Sequence, residues 1–272
     1  DKTGAIRIPS GFRVAGGRLM PDGSVVLWAT NSSSVLRVNG ARLVDTTVLP
    51  AATRAVSVTL SESGDLEYVD SHRREIATQN IAGRGARKSR CSVPLFDIWT
   101  ATKEPGGPWY IAGFDSIGKP LIAINTPNDC NSWRFRASDG GAIATISSSL
   151  RGTAVAYRDP HRGIEWIDHR GVTRRTLRPD SAELKMLNLA ADSSAQWIAT
   201  EATALDSGTL QVIVDLKSER RKLVLRDQRG GVLRVSEIHG MWTVLDGDAQ
   251  SHRLAAFHRG DTDELLLYKW RW

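Results

Sequence analysis

Two histidines and three acidic residues lie close together in the stretch GTAVAYRDPHRGIEWIDHRGVTRRTL, residues 152–177. His, Asp and Glu are the side chains that hold zinc and act as general acids and bases. His161 falls in the turn-forming segment DPHRG and His169 in DHRG, with the apolar strand GIEWID between them. A strand of five or six residues separates its ends by roughly 15–20 Å. The two histidines are therefore predicted to be turn residues that cannot share a metal ion.

Carboxylates are the other candidates for chemistry, because a calcium-dependent hydrolase binds its metal through oxygen ligands. The candidates for such a site are Asp22, Asp97, Asp115, Asp192 and Asp246. They do not occupy equivalent positions, and most have the surroundings of turn formers. No H-E-x-x-H, C-x-x-C or G-x-S-x-G motif occurs. The sequence thus predicts no catalytic residue, no metal ligand and no cofactor. It favours a non-catalytic protein, with a metal-dependent hydrolase or lactonase as the alternative.

Basic side chains provide a binding hypothesis. The chain has 36 Lys and Arg against 30 Asp and Glu, a net charge of +6, and a basic surface attracts anionic partners. The expected partner is a protein, including a membrane-embedded complex, and an anionic surface is the alternative. Without a reader motif or interleaved aromatics, sequence-specific nucleic-acid binding is not expected. The predicted partner-binding residues are Arg84, Arg87, Lys88, Arg90, Arg220, Arg221, Arg229, Trp270 and Trp272.

Nine tryptophans raise the possibility of a lectin, since aromatic rings stack on sugars. A lectin built of repeats would place the same aromatic at equivalent positions. Here the tryptophans stand at different positions within predicted strands, so packing in the core is the favoured interpretation and glycan binding the alternative. The residues concerned are Trp28, Trp109, Trp166, Trp197 and Trp242.

A repeated frame positions all these residues. A Gly or Ser precedes a short apolar strand at GSVVLW, GDLEYVD, GPWYIAGF, GTAVAY, SAQWIATE and SHRLAAFH, with successive steps of 41, 43, 45, 42 and 57 residues. Each frame has an apolar strand before it and a turn and further strands after it. A period of about 40–45 residues is that of a four-stranded propeller blade. Continuous apolar runs such as SVVLW are typical of strands buried on both faces.

The arrangement resembles six-bladed β-propellers of the TolB-like and NHL-like kind over nearly the whole chain. The resemblance implies an all-β fold of four-stranded antiparallel blades in a single domain, and it carries over no functional residue. The blades are predicted at 12–50, 54–92, 94–138, 142–178, 183–237 and 238–272 plus 4–8. The N-terminal strand GAIRI (4–8) is expected to complete the last blade and close the ring. The step of 57 predicts an insertion near residues 220–238.

Two cysteines allow one disulfide but leave it undecided. Cys91 is placed before the inner strand of the third blade and Cys130 before the outer strand of that blade, at the opposite end. A disulfide needs Cα atoms within about 7 Å, so this strand map and the bond exclude each other. The sequence begins at Asp1 rather than Met, and we expect an exported, processed protein of the periplasm or the extracellular space. Together these features predict a non-catalytic interaction scaffold, such as an extrinsic subunit of a membrane complex.

Overall fold

A computed structural model of the chain describes residues 2–20, 22–29, 33–61, 63–80, 88–103, 107–126, 129–137, 143–149, 152–157, 164–168, 170–177, 197–205, 208–215, 221–227, 229–238, 241–248, 253–259 and 262–269. Within these residues the regular structure is β-strand, arranged as six four-stranded antiparallel sheets. Each sheet is named below by its order along the chain. Its strands are given from the inner to the outer one.

The first three sheets are each formed by four consecutive strands. The first contains β2 (Val14–Leu19), β3 (Val25–Ala29), β4 (Ser34–Asn39) and β5 (Arg42–Val48). The second contains β6 (Ala55–Leu60), β7 (Leu66–Asp70), β8 (Glu75–Gln79) and β9 (Lys88–Ser92). The third contains β10 (Asp97–Lys103), β11 (Trp109–Phe114), β12 (Pro120–Thr126) and β13 (Asp129–Ala137).

The last three sheets follow the same plan, except that the sixth takes its outer strand from the start of the chain. The fourth contains β14 (Ile143–Ser149), β15 (Gly152–Tyr157), β16 (Ile164–Ile167) and β17 (Thr173–Leu177). The fifth contains β18 (Trp197–Leu205), β19 (Gly208–Asp215), β20 (Arg221–Asp227) and β21 (Val232–Ile238). The sixth contains β22 (Met241–Asp248), β23 (Arg253–Arg259), β24 (Glu264–Lys269) and β1 (Lys2–Arg7).

The inner strands contact one another in the order β2, β6, β10, β14, β18 and β22, and β22 contacts β2. An arrangement of four-stranded antiparallel sheets around an axis is a β-propeller. The prediction of an all-β propeller with four-stranded antiparallel blades is therefore confirmed. At the edge of the sixth sheet, β1 pairs with β24, and Ile6 lies opposite Leu265.

Every inner strand carries a one-residue β-bulge against the second strand of its sheet. The bulged residues are Ala15, Val56, Trp99, Ala144, Thr200 and Leu245. A bulge bends the strand and increases its right-handed twist. Five of the six are apolar, but they range in size from alanine to tryptophan and the sixth is Thr200. The repeat is thus a feature of backbone geometry and not of one residue type.

The hydrophobic core lies between consecutive sheets. Trp28 and Val26 of the first sheet pack with Val58 and Tyr68 of the second, and similar clusters join other neighbouring sheets. The second strands β3 and β7 are buried at every position. The continuous apolar run of β3 predicts this, whereas β7 buries Glu67 and Asp70 as well. Trp28 lies directly over Gly16, where a Cβ atom would come within 2.3 Å of its ring.

The predicted insertion at 220–238 is wrong. These residues form the regular third and fourth strands of the fifth sheet, β20 and β21. The frame comparison treats SAQWIATE as a second strand, but its strand β18 is the first of the sheet and β19 is the second. The apolar segment LKMLNLAA (184–191), which the frame comparison predicts as the inner strand before SAQWIATE, lies outside the described residues, as does the rest of 178–196.

The two cysteines form a disulfide, with Cα atoms 4.9 Å apart. Cys91 lies in β9, the outer strand of the second sheet, and Cys130 in β13, the outer strand of the third. The structure decides for the bond and against the strand map, because Cys91 lies in the outer strand of the second sheet and not before the inner strand of the third. Successive strands rotate by about 20–25°, so an outer strand is turned by roughly 60–75° from its inner strand. The end of one outer strand can then meet the start of the next.

Two other polar contacts also join neighbouring sheets near the rim. Gln79 Nε2, at the end of β8, donates to Val48 O, at the end of the outer strand β5 of the preceding sheet, at 2.9 Å. Arg136, near the end of β13, donates to Glu165 Oε2 at 2.6 Å and to Gly171 O at 3.0 Å, both in the fourth sheet. Adjacent sheets are thus linked at the rim by polar and covalent contacts as well as by their apolar faces.

Candidate functional site

The inner strands end in a cluster of charged side chains, at what we call the closed end of the propeller. Arg18 of β2 donates through Nη2 to Thr102 Oγ1 at 2.8 Å and to Lys103 O at 2.9 Å, both in β10. The strands β2 and β10 belong to the first and third sheets and are separated in the ring by β6. The Arg18 side chain therefore crosses the axial region at this end.

Glu67 is the buried centre of this cluster, with a side chain only 1% exposed. Its Oε1 accepts hydrogen bonds from Trp109 Nε1 at 2.7 Å and Arg90 Nη1 at 2.8 Å, and its Oε2 accepts one from Lys103 Nζ at 2.7 Å. A buried carboxylate is tolerated when charge and hydrogen bonds compensate its desolvation. Glu67 belongs to the second sheet while Lys103 and Trp109 belong to the third, so the carboxylate joins two sheets.

Asp246 of β22 performs the same task between the sixth and first sheets. Its Oδ2 accepts a hydrogen bond from Leu19 N at 2.9 Å, and its Oδ1 accepts one from Gly247 N at 2.9 Å. Burial lowers the pKa of Arg18, and the carboxylates of Asp246 and Glu67 oppose that effect. The guanidinium remains a cation, because an arginine does not lose its proton in a protein.

Asp22 lies beside this cluster, in the turn after β2. Its Oδ1 accepts hydrogen bonds from Ser24 N at 2.9 Å and Ser24 Oγ at 2.6 Å, and its Oδ2 pairs with Arg37 Nη2 at 2.5 Å. Partial burial raises the pKa of Asp22, but the bonds from Ser24 and Arg37 outweigh that effect and hold the pKa below its usual range. Asp22 is thus ionised and structurally engaged at neutral pH.

The aspartates predicted as candidates for a metal site lie at both ends of the sheets. Asp22 and Asp246 are at the closed end, whereas Asp97 starts β10 and Asp115 follows β11, at the opposite end. Asp192 lies outside the described residues, as do His161 and His169. Among the side chains that the structure describes, no three His, Cys, Asp or Glu residues converge on one point.

The predicted partner-binding residues divide into two groups. Lys88, Arg90 and Arg229 are exposed and Arg221 is partly exposed. Arg90 also pairs with Glu67, so its guanidinium supports the fold. The remaining members lie outside the described residues; they are Arg84, Arg87, Arg220, Trp270 and Trp272. Partner binding by this set remains a prediction.

A second candidate surface lies at the opposite end of the sheets, which we call the linker end. It consists of the segments 51–54, 71–74, 93–96 and 115–119 of the second and third sheets. Backbone hydrogen bonds join them in series: Ser71 N donates to Arg54 O, Val93 N to Arg74 O and Phe96 N to Phe114 O. On this surface Ile117 is 85% exposed and Phe96 is 66% exposed.

Sequence reasoning missed both the Arg18–Glu67–Asp246 cluster and the Ile117 surface. Arg18 belongs to no motif, and Asp246 is a candidate in the sequence only as a metal ligand. Their shared role depends on contacts between strands that are distant in the sequence. Glu67 did carry a signal, since GDLEYVD places a carboxylate inside a strand whose other positions are buried. Ile117 also carried one, because an isoleucine in the turn segment DSIGK is unusual for a solvent-exposed turn.

Comparison with known proteins supports the fold. Neither a protein-family model nor a curated protein matches the sequence. The chain is similar in structure to a luciferin-regenerating enzyme (TM-score 0.67, 10% identity, 98% of this chain and 95% of that chain). It is also similar to a proposed gluconolactonase (TM-score 0.63, 12% identity, 97% and 91%). Virginiamycin B lyase from Staphylococcus aureus has a TM-score of 0.56 at 10% identity, over 98% and 88%. At these identities the likeness establishes a propeller and nothing about its chemistry.

No helix within the described residues has the length and apolar character to span a bilayer.

Proposed function

We propose that this protein is a non-catalytic β-propeller scaffold that binds a protein partner, such as a membrane-embedded complex, at its surface. The observation that carries the proposal is the occupation of the closed end by the protein's own side chains. Glu67 accepts three hydrogen bonds, and Arg18 crosses from β2 to β10. These charged groups hold sheets together, so their chemistry is used for assembly.

We also propose that the six sheets act as the blades of one closed ring, with β1 as the closing strand. The pairing of β1 with β24 and the contact between β22 and β2 support this role. A rigid closed ring presents loops and outer strands in fixed positions, which suits a platform for recognition. Removing residues 1–8 is then expected to lower stability by exposing the edge of β24.

The proposed location is the periplasm or the extracellular space. The Cys91–Cys130 disulfide supports it, because such bonds persist in oxidising compartments and are rare in reducing ones. The bond joins the second and third sheets, the same two sheets that form the Ile117 surface. Measuring the thiol content of protein isolated from its native source checks this part of the proposal.

The scaffold role is tested by crosslinking in the native envelope fraction. A photoreactive residue at Lys88, which is exposed on β9, is expected to capture one defined protein, identified by mass spectrometry and then rebound in purified form. The control position is Thr262, which is also exposed. Recovery of the chain as a solitary monomer, with no crosslink at Lys88 or at the other predicted positions, would contradict the proposal.

A metal-dependent hydrolase or lactonase is the alternative, and the structural similarity to a proposed gluconolactonase favours considering it. Turnover of lactone or ester substrates by protein supplied with calcium or zinc would favour this alternative. Loss of that turnover after chelation would assign it to a metal. A glycan array tests the lectin alternative in the same preparation.

A further inference from the structure

Three turns of the molecule share one backbone design, with the pattern D-x-x-G-x. They are Asp115–Lys119, Asp168–Val172 and Asp227–Gly231. In each, the first residue exchanges backbone hydrogen bonds with the last two, and its carboxylate accepts from the third and fifth backbone N–H groups. The fourth residue is a glycine with φ of 76–89°, a conformation that favours glycine.

The third residue of this turn is the exposed tip, and its identity differs among the three copies. It is Arg170 in one and Arg229 in another, both exposed, as expected of a turn in water. In the third copy it is Ile117, 85% exposed. The turn geometry uses only the backbone of that position. An isoleucine is therefore not required there by the fold.

Ile117 does not stand alone as an apolar group at this end of the sheets. Phe96 is 66% exposed, and its N–H donates to Phe114 O at 2.8 Å, at the strand end that leads into the turn. Exposed apolar groups that cluster on one surface mark interaction sites. The tip and the phenylalanine thus form one apolar projection of the third sheet.

Cations surround this projection. Arg54, Arg73, Arg74 and Lys119 are exposed on the four segments of the linker end. Two of the neighbouring carboxylates are engaged: Asp70 is buried and pairs with Arg73, and Asp115 accepts the two hydrogen bonds of its turn. Asp97 is an exposed carboxylate beside Phe96. The combination of an apolar tip with surrounding arginine and lysine suits an anionic, amphipathic partner.

Four backbone N–H groups of the Asp115–Lys119 turn are satisfied within the turn. The N–H groups of Ile117 and Lys119 donate to Asp115 Oδ1, Gly118 N donates to Asp115 O, and Asp115 N donates to Lys119 O. Unsatisfied backbone groups are costly in a lipid environment. These four N–H groups can therefore enter the headgroup and acyl boundary without losing a hydrogen bond. The same hydrogen bonds occur in the two arginine-tipped turns, so the exposed isoleucine and the surrounding cations, and not the backbone alone, favour a lipid surface.

We propose that the linker end of the second and third sheets binds the surface of an anionic lipid membrane. Ile117 and Phe96 insert at the interface, and Arg54, Arg74 and Lys119 contact headgroup phosphates. The guanidinium of Arg73 is engaged within the fold by Asp70, Thr53 and Ala51. The proposal rests on the scaffold role in one respect only: it assigns the surface by which the scaffold reaches a membrane. It names a lipid partner, which the scaffold role does not.

The experiment is cosedimentation of the purified full chain with vesicles of phosphatidylglycerol and phosphatidylcholine, and with phosphatidylcholine alone. Binding to the anionic vesicles is expected. Ile117→Ser should weaken binding to the anionic vesicles about tenfold or more. Serine is the residue at the same position, Ser63, of the related turn Ser61–Asp65. Arg54→Gln with Lys119→Gln should weaken binding about fivefold for each charge removed. Asp97→Asn should strengthen it.

Matched variants from elsewhere on the surface serve as controls. Leu233→Ser is the control for the loss of an apolar side chain, because Leu233 on β21 is 52% exposed. Arg170→Gln with Arg234→Gln is the control for the loss of two charges, since both arginines are exposed. These variants should bind as the wild type does. No binding to anionic vesicles, or equal losses in test and control variants, would overturn the proposal. A crosslink from position 117 to a protein rather than to lipid would also overturn it, while leaving the scaffold role intact.

Discussion

The two ends of the propeller distribute polar and apolar groups in opposite ways. At the closed end, charged side chains are shielded: Glu67 is 1% exposed, and it binds Lys103, Arg90 and Trp109. At the linker end, apolar side chains protrude: Ile117 is 85% exposed and Phe96 66%. The first arrangement contributes to the stability of the fold. The second is the basis of the membrane-binding surface proposed above.

The difference shows that charge alone does not locate function in this molecule. The groups most often associated with catalysis, buried carboxylates and arginines, hold the sheets together here. Two side chains of a kind usually found in a core, Ile117 and Phe96, are exposed on the surface. Mutations should therefore separate the two ends: changes at the closed end should act on stability, and changes at the linker end on binding.

The largest effect on stability is expected from Glu67→Ala. The change leaves Lys103 and the Trp109 N–H without their buried acceptor, and breaking a buried ion pair costs about 3–5 kcal/mol. The measurement is the free energy of unfolding in urea, followed by tryptophan fluorescence. Asp97→Asn, at the exposed linker end, is the control and should change the free energy by less than about 0.5 kcal/mol. Equal effects of the two variants would remove the distinction between the ends.

The second largest effect is expected from the Cys91→Ala and Cys130→Ala double variant. The bond closes a loop with a sequence separation of 39 residues, for which chain entropy predicts a loss of about 2–4 kcal/mol. The same urea titration checks it, with wild-type protein in reducing agent as a second form of the same loss. Unchanged stability of both would mean that the rim contacts suffice without the covalent link. Vesicle binding of the folded double variant should be retained.

How much of the fold and of the candidate site could be predicted from the sequence depends on whether the contacts are local or join residues far apart in the chain. The strand frame and the all-β propeller follow from turns and apolar runs such as GSVVLW, which are local features. The disulfide could not be decided, because its geometry depends on the twist accumulated over three strands. The partnership of Arg18 with Lys103 likewise could not be predicted, since it joins strands that are 85 residues apart and not neighbours in the ring.

A smaller, pH-dependent effect is expected at Asp22. Because its pKa is lowered by folding, its contribution to stability is present above the unfolded-state pKa and is lost as the pH falls through the folded-state pKa. Asp22→Asn should therefore cost a few tenths of a kcal/mol at neutral pH, since the side chain is 46% exposed. The difference from wild type should vanish in acid, once the pH is below the folded-state pKa of Asp22, which lies below the ordinary aspartate pKa. Unfolding titrations at neutral and acidic pH check it, and a difference that grows in acid would contradict it.

The smallest effect on stability is expected from Ile117→Ser. The side chain is 85% exposed, and the turn uses only its backbone, so the free energy of unfolding should change by less than about 0.5 kcal/mol. Gly118→Ala in the same turn is the contrasting variant, because its φ of 78° disfavours a side chain. A large loss from Ile117→Ser would show that this side chain contributes to the stability of the fold. It would contradict the distinction between the two ends.

The repeated D-x-x-G-x turn has a consequence for how such a surface can change over evolutionary time. Because its hydrogen bonds come from the opening aspartate and the backbone, the tip can accept almost any side chain at little cost to folding. The third position of each such turn is thus an exposed site at which the side chain can change while the fold is kept. A single substitution at one of these positions can add a binding residue to the surface.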